Sequence, residues 1–238
     1  MIDHEGLFIT RKRKKWKFAH FDSYKNCFAF GRDEDGAKLR KLLTNYFSGS
    51  WGQRPLVLEL AAGNAQFSLE LARRNPDKNF IAIDIKSDRL YTSARRALEE
   101  GLENIAFVRM HMNDLGRLFI EKSVNEIWLT FPDPYPKKRD AKHRLSDKLF
   151  LQQYRKILKD TGSLRFKTDN RDLFLWSLEQ FVAEKWQITE LTFDLHESSL
   201  AEEYRIMTYY EQKFTAEEIP INFCSLVPEA SGLGLRQT

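Results

Sequence analysis

Leu56-Val57-Leu58-Glu59-Leu60-Ala61-Ala62-Gly63-Asn64-Ala65 is an apolar run broken by one acid and closed by small residues, and the amphipathic stretch Gln66–Arg74 follows it directly. A short apolar run, a small-residue turn and a helical period read as strand, tight turn and helix. The same unit recurs downstream. Candidate strands lie at Phe80–Ile85, Ile105–Arg109, Glu126–Phe131 and Ser163–Lys167, and helices near Ser87–Glu100, Asp114–Glu121, Asp147–Leu158 and Asp172–Lys185 alternate with them. Strands without polar alternation, separated by helices, predict a mostly parallel sheet with helices on both faces, an α/β Rossmann-like fold.

Two further runs, Gln187–Asp194 and Arg205–Phe214, have no crossover-length helix between them and predict an antiparallel finish. Upstream, Asp35–Phe47 has helical periodicity, behind a first segment that reads as a basic arm. The expected organisation is an arm over 1–35, one domain over 36–214 and an irregular tail over 215–238, where Pro220, Pro228, Gly232 and Gly234 fall.

Bulk properties narrow the function. The chain has 238 residues, 42% hydrophobic and 30% charged, enough for one large α/β domain with appendages. No apolar run is long enough for a bilayer span and no apolar signal core follows the basic run at Arg11–Lys17, so the expectation is a cytoplasmic protein with no membrane partner. Cys27 and Cys224 are far apart, with no Cys/His ligand cluster, so neither a disulfide nor a metal site is expected. The net charge of +4 is modest, but its distribution is uneven. Arg11, Lys12, Arg13, Lys14, Lys15 and Lys17 surround Trp16, and Lys137, Lys138, Arg139, Lys142 and Arg144 form a second cluster. Either could be a solvated face or a surface for nucleic-acid phosphates.

In open α/β sheets, ligands bind beyond the carboxyl ends of the strands. Glu59 and Gly63 close the first strand, Asp84 the second, and Asn113-Asp114 follows the third. An acid at the second position suits ribose hydroxyls, and one at the third suits an adenine amine or a helix cap. Together they predict a nucleoside pocket. The fourth strand runs into Phe131-Pro132-Asp133-Pro134-Tyr135-Pro136-Lys137-Lys138-Arg139, where the prolines fix φ, remove backbone donors and hold Asp133 in a defined direction.

This segment resembles the F-P-D-P-W-x-K-x-R signature of the bacterial tRNA (guanine-N7-)-methyltransferases, with tyrosine in the tryptophan position. The resemblance continues at Phe166-Lys167-Thr168-Asp169-Asn170 and at Thr208-Tyr209-Tyr210-Glu211, which matches the family's T-x-[YF]-E. It departs at the first turn, where Ala61 and Ala65 replace glycines of E-x-G-x-G-x-G. It implies a class I methyltransferase fold, a seven-stranded, mostly parallel sheet with a terminal antiparallel strand. It also implies S-adenosylmethionine as cofactor, no metal, tRNA as partner, and methylation of guanine N7, at guanosine 46 of the variable loop. Cofactor contacts fall to Glu59, Asp84, Asp114 and Asp133, catalysis to Asp133, and substrate contacts to Lys137, Asp169, Thr208, Tyr209, Tyr210 and Glu211. The expected assembly is a monomer or a homodimer. The competing readings are a methyltransferase of another substrate, a nicotinamide-dependent dehydrogenase with too few glycines in its first turn, and a non-catalytic RNA-binding protein on a decayed fold.

Overall fold

The structure, a computed structural model, describes residues 16, 17, 19–31 and 33–229, with the side chains of Tyr209 and Tyr210 outside the description. Arg11, Lys12, Arg13, Lys14 and Lys15 of the basic arm and the end of the tail therefore lie outside the described residues. Leu56–Leu60 forms β2, central between parallel neighbours and buried along its whole length because helices cover both faces of the sheet. The other strands are β1 (Cys27–Ala29), β3 (Asn79–Asp84), β4 (Ile105–Arg109), β5 (Val124–Thr130), β6 (Leu158–Thr168), β7 (Trp186–Thr192) and β8 (Asn222–Pro228). They build one sheet in the order β1-β4-β3-β2-β5-β6-β8-β7, in which β8 runs antiparallel to both β6 and β7.

The helices are α1 (Gly36–Tyr46), α2 (Gln66–Arg74), α3 (Ser87–Glu99), α4 (Leu115–Leu118), α5 (Lys148–Ile157), α6 (Arg171–Ala183) and α7 (Tyr209–Ala216). Alternate side chains of a strand point to opposite faces, so Leu56, Leu58 and Leu60 enter one core with α1, α4, α5 and α6, while Val57 enters the other with α2 and α3. Asp35 caps α1 by accepting from the Ala37 amide. Gly36 lets this helix meet α4 closely, since a Cβ there would stand 1.9 Å from the Arg117 carbonyl oxygen. No helix among the described residues is long and apolar enough to cross a membrane.

The predicted α/β sheet is present, with three corrections. Cys27–Ala29, assigned to the arm, pairs in parallel with β4 and adds an eighth strand at the sheet edge. The run Arg205–Phe214 is no strand. Thr208 and Glu211 form a reciprocal capping box that starts α7, overriding the β propensity of the surrounding aromatic and β-branched residues. The antiparallel strand comes instead from Asn222–Pro228, inside the segment read as an irregular tail. Its prolines bracket the strand rather than break it, and the apolar run between them fills the slot between β6 and β7.

After the edge strand β1, the chain passes to β2 at the centre of the sheet, steps outward through β3 and β4, then returns to β5 on the other side of β2. This reversal opens a crevice between the loops after β2 and β5, the usual ligand position of such sheets. The turn at Ala61–Ala65 and the loop at Phe131–Lys138 therefore stand side by side.

Candidate active site

The turn after β2 keeps a glycine-type backbone although two of its glycines are missing. Ala61, Gly63 and Ala65 all adopt left-handed conformations, with φ of 52, 56 and 55°. Nothing lies within 4 Å of where a Gly63 Cβ would sit, so the turn faces open space. Glu59 lies beneath it, buried, accepting hydrogen bonds from the Ser68 amide at 3.1 Å and from the hydroxyls of Ser68 and Thr130. Burial pushes its carboxyl above the ordinary range, while these donors and the nearby Lys167 oppose the shift. Glu59 is thus a brace tying β2, α2 and β5 together under the turn. Left-handed alanine costs about 1–2 kcal/mol, and glycine loses about 0.4–1 kcal/mol through the freer unfolded chain. Ala61→Gly is expected to raise stability by up to about 1 kcal/mol, and a lowered urea midpoint would refute the strain; at Ala65, which is buried, the lost methyl contact offsets the gain.

Asp84 ends β3 and is buried; one carboxylate oxygen accepts from the Gly63 amide at 2.9 Å and the other from the Lys86 amide at 2.8 Å. Burial raises its pKa against these two bonds. A carboxylate has about four lone-pair sites, so capacity for ribose hydroxyls remains. Next to it a cleft of about 160 Å³ is lined by Phe30, Gly31, Ile85, Arg109, Met110, His111 and Asp114. That is below the roughly 300–1,000 Å³ of sites enclosing a whole drug-sized ligand, and suits one planar ring. Ile85 is 54% exposed, an apolar side chain offered at a strand end, and Asp114 is held by Arg117 at 3.1 Å. Open space over the turn, paired acceptors at Asp84 and an apolar, acid-edged cleft fit an adenosine-containing cofactor.

Across the crevice, Phe131 and Tyr135 take φ of 50 and 42°, so the proline-rich loop doubles back on itself. Its first amide, at Phe131, donates to the Lys167 carbonyl at 2.9 Å, which continues the β5–β6 pairing into the loop. Asp133 is exposed and has no hydrogen bond or ion pair among the described residues. Lys137 and its neighbours Lys138 and Arg139 are also exposed. Asp169, half-buried at the end of β6, has a carboxyl raised by burial.

The T-x-x-E segment is arranged differently from the expectation. Thr208 and Glu211 are buried, and the Glu211 carboxylate meets Lys167 Nζ at 2.8 and 3.1 Å, both side chains being 0% exposed. Lys167 also donates to the carbonyls of Tyr204 and Ile206 at 3.2 and 3.3 Å and lies over the rings of Phe67 and Phe131. Burial lowers its pKa, and Glu211 and Glu59 oppose that. His196 Nε2 stands 3.3 Å from Glu211 without hydrogen-bond alignment. The Glu211 carboxylate is therefore occupied internally rather than presented to a base edge. The structure places Thr208 at the N-cap of α7, and Tyr209 and Tyr210 in its first turn.

Several site residues were not singled out from the sequence: Phe30, Ile85 and His111 around the cleft, Ser68 and Thr130 around Glu59, and Lys167. None carried a clear local signal; Lys167 stands two residues after Arg165 in a strand of mixed polarity, so its burial is set by what packs on β6.

A switch-point crevice with an acid-edged cleft on one side and a rigid, acid-bearing loop on the other, on this strand order, is the architecture of class I methyltransferases. Residues 53–224 match a family described as putative methyltransferase. The tRNA (guanine-N(7)-)-methyltransferase of Christiangramia forsetii is 37% identical over 222 residues, covering 89% of this chain and 96% of the relative. That of Brevibacillus brevis is 40% identical over 176 residues, covering 72% and 82%. The chain belongs to the tRNA (guanine-N(7)-)-methyltransferase family. The fold is also that of the 16S rRNA methyltransferase KamB, with a TM-score of 0.58 at 14% identity over 77% of this chain and 93% of that one.

Proposed function

We propose that this chain transfers a methyl group from S-adenosylmethionine to N7 of a guanosine in tRNA, guanosine 46 of the variable loop, forming 7-methylguanosine. The observation that carries this reading is Asp133, an exposed and unengaged carboxylate on a stiff loop facing the cofactor turn across the switch point. The cofactor supplies an electrophilic methyl on its sulfonium. Guanine N7 already has an in-plane lone pair, so the protein needs no strong base, only alignment and stabilisation of the positive charge that develops on the base.

Asp84 and Asp114 would hold the ribose and adenine, and Glu59 braces the turn from below. Asp133 lies where both cofactor and base meet, and Asp169 lies on the neighbouring strand end to orient the guanine. Thr208, Tyr209 and Tyr210 contribute the start of α7 as a wall for the base. Glu211 contributes by fixing that helix. The tRNA backbone is met by Lys137 and the exposed cations after it, through phosphate contacts.

Labelled S-adenosylmethionine with unmodified tRNA, followed by mapping of the modified base, tests the reading. Transfer should be seen at guanine N7 and be lost on a transcript with adenine at position 46; no transfer, or transfer to another base, refutes it. Lys137→Ala is expected to weaken tRNA binding several-fold and to shrink the salt slope of log K by about 1. An unchanged slope removes Lys137 from the interface. The non-catalytic alternative drew its support from Ala61 and Ala65, and both alanines retain the left-handed backbone that the turn requires.

A further inference from the structure

We propose that Arg144 is a positioning residue that clamps the Asp133 loop, rather than one of the cations that meet tRNA phosphates. In sequence it closes the basic run that begins at Lys137, and it would be grouped with that run. In the structure it differs from its neighbours. Lys137, Lys138, Arg139 and Lys142 are exposed, whereas Arg144 is half-buried. Its Nε donates to the Pro134 carbonyl and its Nη2 to the Tyr135 carbonyl, each at 3.0 Å. Nε and Nη2 form one edge of the guanidinium, an edge that pairs bidentately with a phosphate when it is free. Here it is spent inside the protein.

The other contacts explain why that edge stays in place. The guanidinium carbon sits 4.4 Å from the ring centre of Trp176 on α6, so the planar group is stacked as well as hydrogen-bonded. The Arg144 backbone is fixed at both ends, its amide donating to Ala141 and its carbonyl accepting from Asp147, the cap of α5. Proline at 132, 134 and 136 leaves the loop few amides with which to hold itself, and Tyr135 lies in a left-handed conformation. The clamp therefore supplies donors that the loop lacks, at the two carbonyls immediately after Asp133. It transmits the rigidity of α5 and α6 to the direction of that carboxylate.

The proposal rests on the methyltransferase reading and is tested on the full-length enzyme with tRNA. Arg144→Lys keeps the charge but cannot reproduce a planar two-donor fork with a stacked face. It is expected to lower kcat at saturating tRNA and cofactor by about 10- to 100-fold, as small misplacements of a reacting group do. The tRNA Kd should stay within about twofold and the salt slope unchanged. Trp176→Leu removes the stack without touching any charge and should lower kcat in the same sense, again with an unchanged salt slope; it decides the matter if the lysine variant does not fold. Wild-type turnover in Arg144→Lys, with Arg144→Gln losing tRNA affinity and about one unit of salt slope, would make the residue a phosphate contact and overturn the proposal. Inactive wild-type protein would overturn the underlying reading, and the proposal with it.

Discussion

Asp133→Asn is expected to lower kcat by about 100- to 1,000-fold, the cost of removing one preorganised charge aimed at a transition state. The substitution is nearly isosteric and the native side chain is exposed and has no hydrogen bond or ion pair among the described residues, so the thermal midpoint should not move. This separates chemistry from folding. Affinity for tRNA should be retained, because that binding falls to the cations from Lys137 onward. The cofactor KM is expected to rise modestly, since Asp133 borders both ligands. Single-turnover rates at saturating cofactor and tRNA are the measurement. A rate within threefold of wild type would remove Asp133 from catalysis, and a change confined to the cofactor KM would make it a binding residue alone.

Breaking the Lys167–Glu211 pair is expected to have the largest effect on stability. Both side chains are 0% exposed, so Lys167→Met leaves an uncompensated carboxylate in the core and Glu211→Leu leaves an ammonium there. Removing one partner of such a pair costs about 3–5 kcal/mol, a large share of the roughly 5–15 kcal/mol that holds a domain folded. Either single variant is expected to lose that much in urea unfolding, or to fail to accumulate. The double variant Lys167→Met/Glu211→Leu replaces both charges with apolar groups of similar size, and it should recover most of the loss. Single losses below about 1 kcal/mol would show that the pair is not the tie between β6 and α7. The double variant also gives up the contacts of Lys167 with the Tyr204 and Ile206 carbonyls, so recovery falls short of wild type.

These expectations draw on parts of the molecule that differ in how plainly the sequence announces them. Leu56–Leu60 and Ile105–Arg109 were readable to the residue, because a buried parallel strand is a continuous apolar run and a glycine- or asparagine-containing turn ends it. Gln66–Arg74 was equally plain from its helical period. Asn222–Pro228 was not. The prolines at its margins are local turn signals, whereas its strand state comes from the two neighbours that pair with it. Cys27–Ala29 is too short to show a period and is a strand only because β4 offers it an edge. At Thr208–Glu211 the capping residues are local, but the aromatic and β-branched residues around them give the segment the look of a strand.

The site divides in the same way. Glu59, Asp84, Asp114, Asp133 and Asp169 could be placed at strand ends from sequence, because a parallel sheet puts every such end on one rim. Their availability could not. Whether a carboxylate faces a ligand or is spent on a neighbour depends on what packs against it from elsewhere in the chain. Ser68 and Thr130 engage Glu59, Lys167 engages Glu211, and Asp133 is left open. The order of strands and turns, the stiffness of the proline loop and the family signature belong to the sequence alone, since each follows from residues close together in the chain. The eighth strand, the buried ion pair and the turning inward of Arg144 were decided by the tertiary structure, because each depends on a partner that the fold brings alongside: β4 for Cys27–Ala29, Glu211 for Lys167 and Trp176 for Arg144.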